Sequence, residues 1–116
     1  MKYQELIKEV EGVGKLELSE QEEFYRNVLN ESSNDLEVMV AATFYLGMAY
    51  YYEGNFKKSK EIIEPIILQY QSMPFVRELI SAFNLMGVML YYDGANVSSR
   101  YYYEKALQIA MEHEDV

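Results

Sequence analysis

Along this chain the apolar positions recur at three-to-four spacing and are punctuated by glycine. The series Leu36, Val40, Thr43, Phe44, Gly47 and Tyr50 marks one face of a long helix. Asn34, with Glu37 three positions later, has the form of a capping box and opens that helix. Glu53-Gly54-Asn55 closes it, because glycine tolerates the left-handed cap. A partner helix is predicted from Phe56 to about Gln71, with Pro65 inside it to kink it or loosen a turn. Pro74 suits the first turn of the next helix, which ends at Asp93-Gly94. A last helix is predicted from Val97 to about His113. Ahead of these lie a short helix near Tyr3 to Val13 and another from Ser19, boxed by Glu22, to about Asn30. The pattern predicts an all-α chain of about six helices with no strand.

The chain also repeats itself. Phe44-Tyr45-Leu46-Gly47-Met48-Ala49-Tyr50-Tyr51-Tyr52-Glu53-Gly54 aligns with Asn84-Leu85-Met86-Gly87-Val88-Met89-Leu90-Tyr91-Tyr92-Asp93-Gly94 at an offset of forty. Ser59 and Ser99 share that offset, and so do Gly14 and Gly54, Ser19 and Ser59, and Leu6 and Leu46. A glycine inside a helix costs about 1 kcal/mol relative to alanine. Close approach of the two helices of a unit, with Gly47 facing Ser59 and Gly87 facing Ser99, is the expected compensation.

These residues resemble the tetratricopeptide repeat family. Its pattern of a large residue, Leu-Gly, an aromatic, a glycine before the turn and a small residue on the second helix is met in the middle unit. There it falls on Thr43, Leu46-Gly47, Tyr50, Gly54-Asn55-Phe56 and Ser59. In the last unit it falls on Phe83, Met86-Gly87, Leu90, Gly94, Ser99, Tyr103 and Ala106-Leu107. Thr43, Ser59 and Ser99 depart from the family's usual residues, and Ile7 stands where the first unit should have glycine. The resemblance implies a right-handed solenoid of antiparallel helix pairs. Residues 1–34 would be a degenerate or capping pair, with full repeats at 35–73 and 74–116. The forty-residue period is similar to that of bacterial signalling and regulatory proteins. In those, a sequence like Ala110-Met111-Glu112-His113-Glu114-Asp115 is usually followed by more chain, so an effector such as a diguanylate cyclase or kinase domain is expected after Val116.

Composition narrows the function. The formal charge is −9, with a net −6 over residues 1–38 and −3 over residues 80–116. That balance opposes nucleic acid and anionic membranes, which need a basic face, and leaves a basic or neutral partner. It equally serves solubility alone. Cysteine is absent, which removes disulfides, thiolate nucleophiles and cysteine zinc sites. The N-terminus has no apolar signal stretch, so a cytoplasmic location is expected. His113, the one histidine, sits in the last helical turn, where a cation suits the dipole. Glu20, Glu22 and Glu23 cluster at a helix start, where carboxylates are favoured anyway. No phosphate loop is present. The expectation is a non-enzyme with no metal and no cofactor.

Twelve tyrosines are the most unusual feature, with runs at 50–52, 91–92 and 101–103. Three successive helical positions span about 200° of arc, so each run must divide between core and surface. The resemblance implies a concave groove lined by first helices. Its positions fall on Ala41, Phe44, Met48, Tyr51 and Tyr52, then Ser81, Asn84, Val88, Tyr91 and Tyr92, with Gln4, Lys8 and Glu11 in the first unit. A carboxylate-binding clamp of the kind some relatives carry is disfavoured, since only Asn84 and Lys8 have suitable chemistry. The expected function is capture of a protein, as a peptide or helix, by Phe44, Met48, Tyr51, Tyr52, Asn84, Val88, Tyr91 and Tyr92. The alternatives are a homodimer through the last helix, or a sensor of a small signal peptide.

Overall fold

The computed structural model describes residues 1–113; Glu114, Asp115 and Val116, assigned above to the end of the last unit, lie outside the described residues. The chain forms α1 (Tyr3–Val13), α2 (Leu18–Glu31), α3 (Leu36–Tyr52), α4 (Phe56–Leu68), α5 (Arg77–Tyr92) and α6 (Asn96–Glu112). A short 3-10 turn, Tyr70–Ser72, follows α4, and no strand occurs among the described residues. None of these helices is long and apolar enough to cross a membrane. The all-helical expectation therefore holds.

Helix ends show where local sequence ruled and where it did not. The α3 and α5 ends are built alike. Gly54 and Gly94 both take φ 81°, the left-handed region that glycine enters without steric penalty. The N–H of Asn55 donates to Tyr50 O at 3.0 Å and that of Gly54 to Tyr51 O at 2.9 Å. Ala95 and Gly94 repeat both bonds onto Leu90 and Tyr91. This doubly bonded cap satisfies carbonyls the helix leaves open. Gly14 differs despite its matching spacing: its φ is −61°, ordinary helical backbone, so the first turn lacks this cap.

Several predicted boundaries are corrected. The α3 cap is Asp35, whose carboxylate accepts from the Val38 N–H at 3.2 Å, and not Asn34. The α2 helix starts at Leu18 after Glu17 with no side-chain cap, and Glu22 turns away from Ser19 towards Tyr50 and Arg26. The α4 helix ends at Leu68, short of Gln71. Pro65 has no N–H to continue the ladder, and the chain passes into a 3-10 turn soon after it. Met73, held extended by the proline after it, delays α5 to Arg77, so Pro74 is not in its first turn.

The helices pack as sequence neighbours. α3 lies along α4, α5 along α6, and α5 also rests on both α3 and α4. α1 leans on α3 more than on α2, which makes the first pair the loosest. One core cluster joins α3 to α6 around Val40, Ile63, Phe83 and Met89; a second joins α1, α2 and α3 around Leu6, Tyr25, Val38 and Leu46.

Tight contacts fall at Gly47 of α3 and Gly87 of α5. The Ser59 hydroxyl donates to Gly47 O at 2.7 Å, and the Ser99 hydroxyl to Gly87 O at 2.8 Å. Both serines are buried. A Cβ on Gly47 would stand 2.4 Å from Ile63 Cγ2 and 3.7 Å from Ser59 Oγ. A Cβ on Gly87 would stand 3.0 Å from the Tyr103 ring. The pairing of Gly47 with Ser59 and Gly87 with Ser99 is as expected, with a hydroxyl-to-carbonyl bond added to the close packing.

The two glycines will respond differently to alanine. Ile63 is fully buried and branched close to its backbone, so it cannot swing aside. Overpacking of about 1–3 kcal/mol should outweigh the roughly 1 kcal/mol gained in helix propensity. Gly47→Ala should therefore lower stability in urea denaturation. Tyr103 is partly exposed and can yield a few tenths of an ångström, so Gly87→Ala should be near neutral or stabilising.

Candidate functional site

Helices α1, α2, α3 and α5 contribute to two surface depressions, two lobes that share Met48 in their linings. The lobe between α3 and α5 holds about 370 Å³ and is lined by Phe44, Met48, Tyr51, Ser81, Asn84, Leu85 and Val88. The second lobe holds about 260 Å³ between the α1–α2 turn and the end of α3. Val10, Leu16, Gln21, Tyr52 and Glu53 are on its walls, with Tyr25, Tyr45 and Ala49 at its back.

Five of the eight predicted groove residues, Phe44, Met48, Tyr51, Asn84 and Val88, thus meet in one lobe. Tyr52 lies in the other. Tyr91 and Tyr92 line neither lobe and are 61% and 66% exposed in the last turn of α5. Tyr91 continues the helical face of Asn84 and Val88 in the last turn of α5, and Tyr92 turns to Phe56. Ala41 is fully buried in the core beneath and is not groove-facing. Gln4, Lys8 and Glu11 do not line either lobe; Val10 and Gly14 of α1 do so instead. Leu85, though largely buried, also joins the lining.

An aromatic strip runs along one end of the groove. Tyr51 stacks on Phe56 at 5.3 Å and 14°, and Phe56 reaches Tyr92 at 6.0 Å. Tyr52 and Tyr91 extend the strip edge-on at either end. The tyrosine runs therefore do divide as geometry requires. Tyr50 turns inward to donate to Glu22 at 2.7 Å, while Tyr52 is 76% exposed.

The groove wall is held by a carboxylate that sequence reasoning missed. Glu78, buried at 6% exposure in the first turn of α5, accepts from the Tyr3 hydroxyl at 2.5 Å and from the Tyr45 hydroxyl at 2.6 Å. One carboxylate so joins α1, α3 and α5. It pins Tyr45, which backs the second lobe, stacks towards Tyr25 and meets the Phe44 ring edge-on at 5.1 Å. Burial, followed by the bond to Glu78, pushes the pKa of both Tyr3 and Tyr45 well above the ordinary tyrosine range. Burial alone pushes Tyr25 up to about 12. In the sequence Glu78 reads as an ordinary first-turn acid next to a helix dipole; only the fold brings two phenols to it.

His113, at the end of α6, is exposed and stacks on Phe75 at 4.0 Å, with Nδ1 2.9 Å from Ile109 O. Among the described residues, no group of three His, Asp or Glu side chains is placed to hold a metal ion. In comparison with known proteins, the chain matches no family model, no curated protein and no solved structure.

The Glu78 node gives stability a pH dependence of known sign. Phenols whose pKa is raised in the folded chain stabilise it fully below the ordinary tyrosine value near 10, and that contribution is lost as the pH climbs from there towards the raised value. The urea midpoint of the wild type should fall as the pH rises above about 10. Tyr45→Phe should start less stable at neutral pH and show a shallower fall over the same interval. Equal slopes would show that the node does not control the alkaline limb.

Proposed function

We propose that this chain is a non-catalytic protein-binding module. In this reading its helix pairs form a right-handed tetratricopeptide-like solenoid, and the α1–α3–α5 groove holds a peptide or helical segment of a partner. The observation that carries the reading is the convergence of Phe44, Met48, Tyr51 and Val88 with the single amide of Asn84 in one open lobe. An apolar depression with a few polar groups is the usual form of a recognition site. Tyrosine adds ring area and a polar tip at low entropic cost. The forty-residue period supports a place in a bacterial cytoplasmic signalling or regulatory protein, where the captured segment would serve as scaffold contact or signal peptide.

The test is selection of peptides from a phage-displayed random library on the full chain, followed by titration of the recovered peptides. Val88→Asp and Met48→Asp each place a charge in the lobe, and each should weaken binding at least tenfold, the loss expected when an apolar anchor of about 1.5–3 kcal/mol is displaced. Circular dichroism should show unchanged helix content. Binding indifferent to both substitutions would move the site elsewhere.

A second reading is supported by α6. Its outer face exposes Val97, Tyr101, Leu107 and Met111. Self-association through that face would show in sedimentation as a concentration-dependent mass that Leu107→Lys abolishes; a monomer at every concentration would rule it out.

A further inference from the structure

We propose that the lobe beside Glu53 seats a lysine or arginine side chain of the bound peptide, in the place that Lys60 fills at the next junction of the same fold. The inference deepens the groove reading above by naming the partner's chemistry.

The two junctions are built to one plan. Where α4 meets the end of α5, Lys60 Nζ donates to Asp93 Oδ2 at 2.6 Å. Asp93 is the C-cap of α5, with φ −80° and ψ −1°. The ammonium there meets both a carboxylate and the negative end of the helix dipole. Forty residues earlier the counterpart of Asp93 is Glu53, the C-cap of α3, with the same φ −80° and ψ −1°. The counterpart of Lys60 is Glu20, flanked by Ser19 and Gln21. None of the three is basic, so a register slip of one residue does not restore the missing lysine. The Gln21 amide donates to Leu16 O at 2.8 Å instead.

What stands at the first junction is the lobe of about 260 Å³, with Gln21 and Glu53 on its rim and Val10, Leu16, Met48 and Tyr52 as apolar walls. Its second wall repeats the plan too: Leu16 stands for Phe56 and Tyr52 for Tyr92. α1 and α3 both end at this lobe, and neither carries a basic residue in its last turn. Lys15, in the α1–α2 turn, does not line it. Long basic side chains lay their aliphatic stems on apolar surface and keep the charged head at a polar rim. Here the stem would lie on Val10, Leu16 and Met48, and the head would reach Glu53 beside the Tyr52 ring. A neutral anchor would cover the Glu53 carboxylate without compensating it, and an acidic anchor would be repelled. The net −6 of residues 1–38 draws the same class of partner. The bound segment therefore carries a basic residue for this lobe and an apolar residue for the lobe on the far side of Met48.

The library-selected peptides test this directly, titrated by fluorescence polarisation at low and high salt. Lys or Arg close to an apolar residue should dominate the recovered sequences, and binding should weaken with salt. Glu53→Gln should weaken these peptides about tenfold, the usual scale for losing a charged hydrogen bond. Glu20→Lys and Gln21→Lys supply an internal counterpart of Lys60; at least one should weaken the same peptides comparably and raise the melting temperature. If Val88→Asp abolishes binding but the peptides carry no base, or ignore Glu53→Gln and both lysine variants, the cation seat is overturned and the groove stands. If the peptides ignore Val88→Asp, or none is recovered, the groove reading itself fails and the seat with it.

Discussion

Two helices can share a core only as closely as their side chains allow, and in this chain the limit is set at Gly47 and Gly87. Neither position has room for a methyl group without displacing Ile63 or the Tyr103 ring. The serines opposite use the closeness, since a hydroxyl can reach a carbonyl of the neighbouring helix only when the backbones nearly touch. The bond gives the contact a direction as well as a distance. Dispersion alone would let the helices slide along each other; a buried hydroxyl that must find one acceptor does not. Because Ser59 and Ser99 each stand twelve residues after their glycine, the two pairs inherit one register.

That shared register carries through to the ends of the helices. With α3 and α5 closed by the same glycine cap, Glu53 and Asp93 adopt identical backbone angles at equivalent places. The aromatic residues before each cap then fall into one strip through Phe56. The first pair has Ile7 where the other pairs place their packed glycine, its one helical glycine, Gly12, has open space around it, and α1 is less tied to α2. Its place is secured by a different device, the Tyr3 hydroxyl on Glu78. A buried carboxylate is costly unless its lone pairs are satisfied. Two phenols satisfy this one, and among the described residues no buried side-chain polar atom lacks a partner.

The parts of this fold legible in sequence are those set by short-range chemistry repeated at a fixed offset. Gly47 with Ser59, the caps at Gly54 and Gly94, and the apolar faces of α3 and α5 all act within one helix pair. The misreadings share a cause: they depend on which neighbour a side chain meets. Gly14 has the right spacing but takes helical angles, because the cap conformation depends on how the following turn docks and not on spacing. Asp35, not Asn34, caps α3 because the chain leaves the preceding turn one residue later. Glu78 and its two phenols are separated by 75 and 33 positions, beyond the reach of any periodicity. In the groove, Phe44, Met48, Tyr51, Asn84 and Val88 were readable because adjacent helical turns fix their face. Tyr91 and Tyr92 fall in the last turn of α5, outside both linings.

A repeat makes its own exceptions visible. Where the plan is filled, as Lys60 fills the α4–α5 junction, the chain satisfies itself and offers a partner little beyond an aromatic edge. Where an element of the plan is missing, the same carboxylate, helix end and apolar walls remain without the side chain that completes them. Shape alone does not discriminate among peptides, since an apolar lobe accepts many residues at similar cost. Discrimination needs a group whose satisfaction depends on the ligand, and a C-cap carboxylate at a helix end is such a group. In the proposed reading, selectivity in the groove falls to the first junction, where Glu20 stands in the place of Lys60.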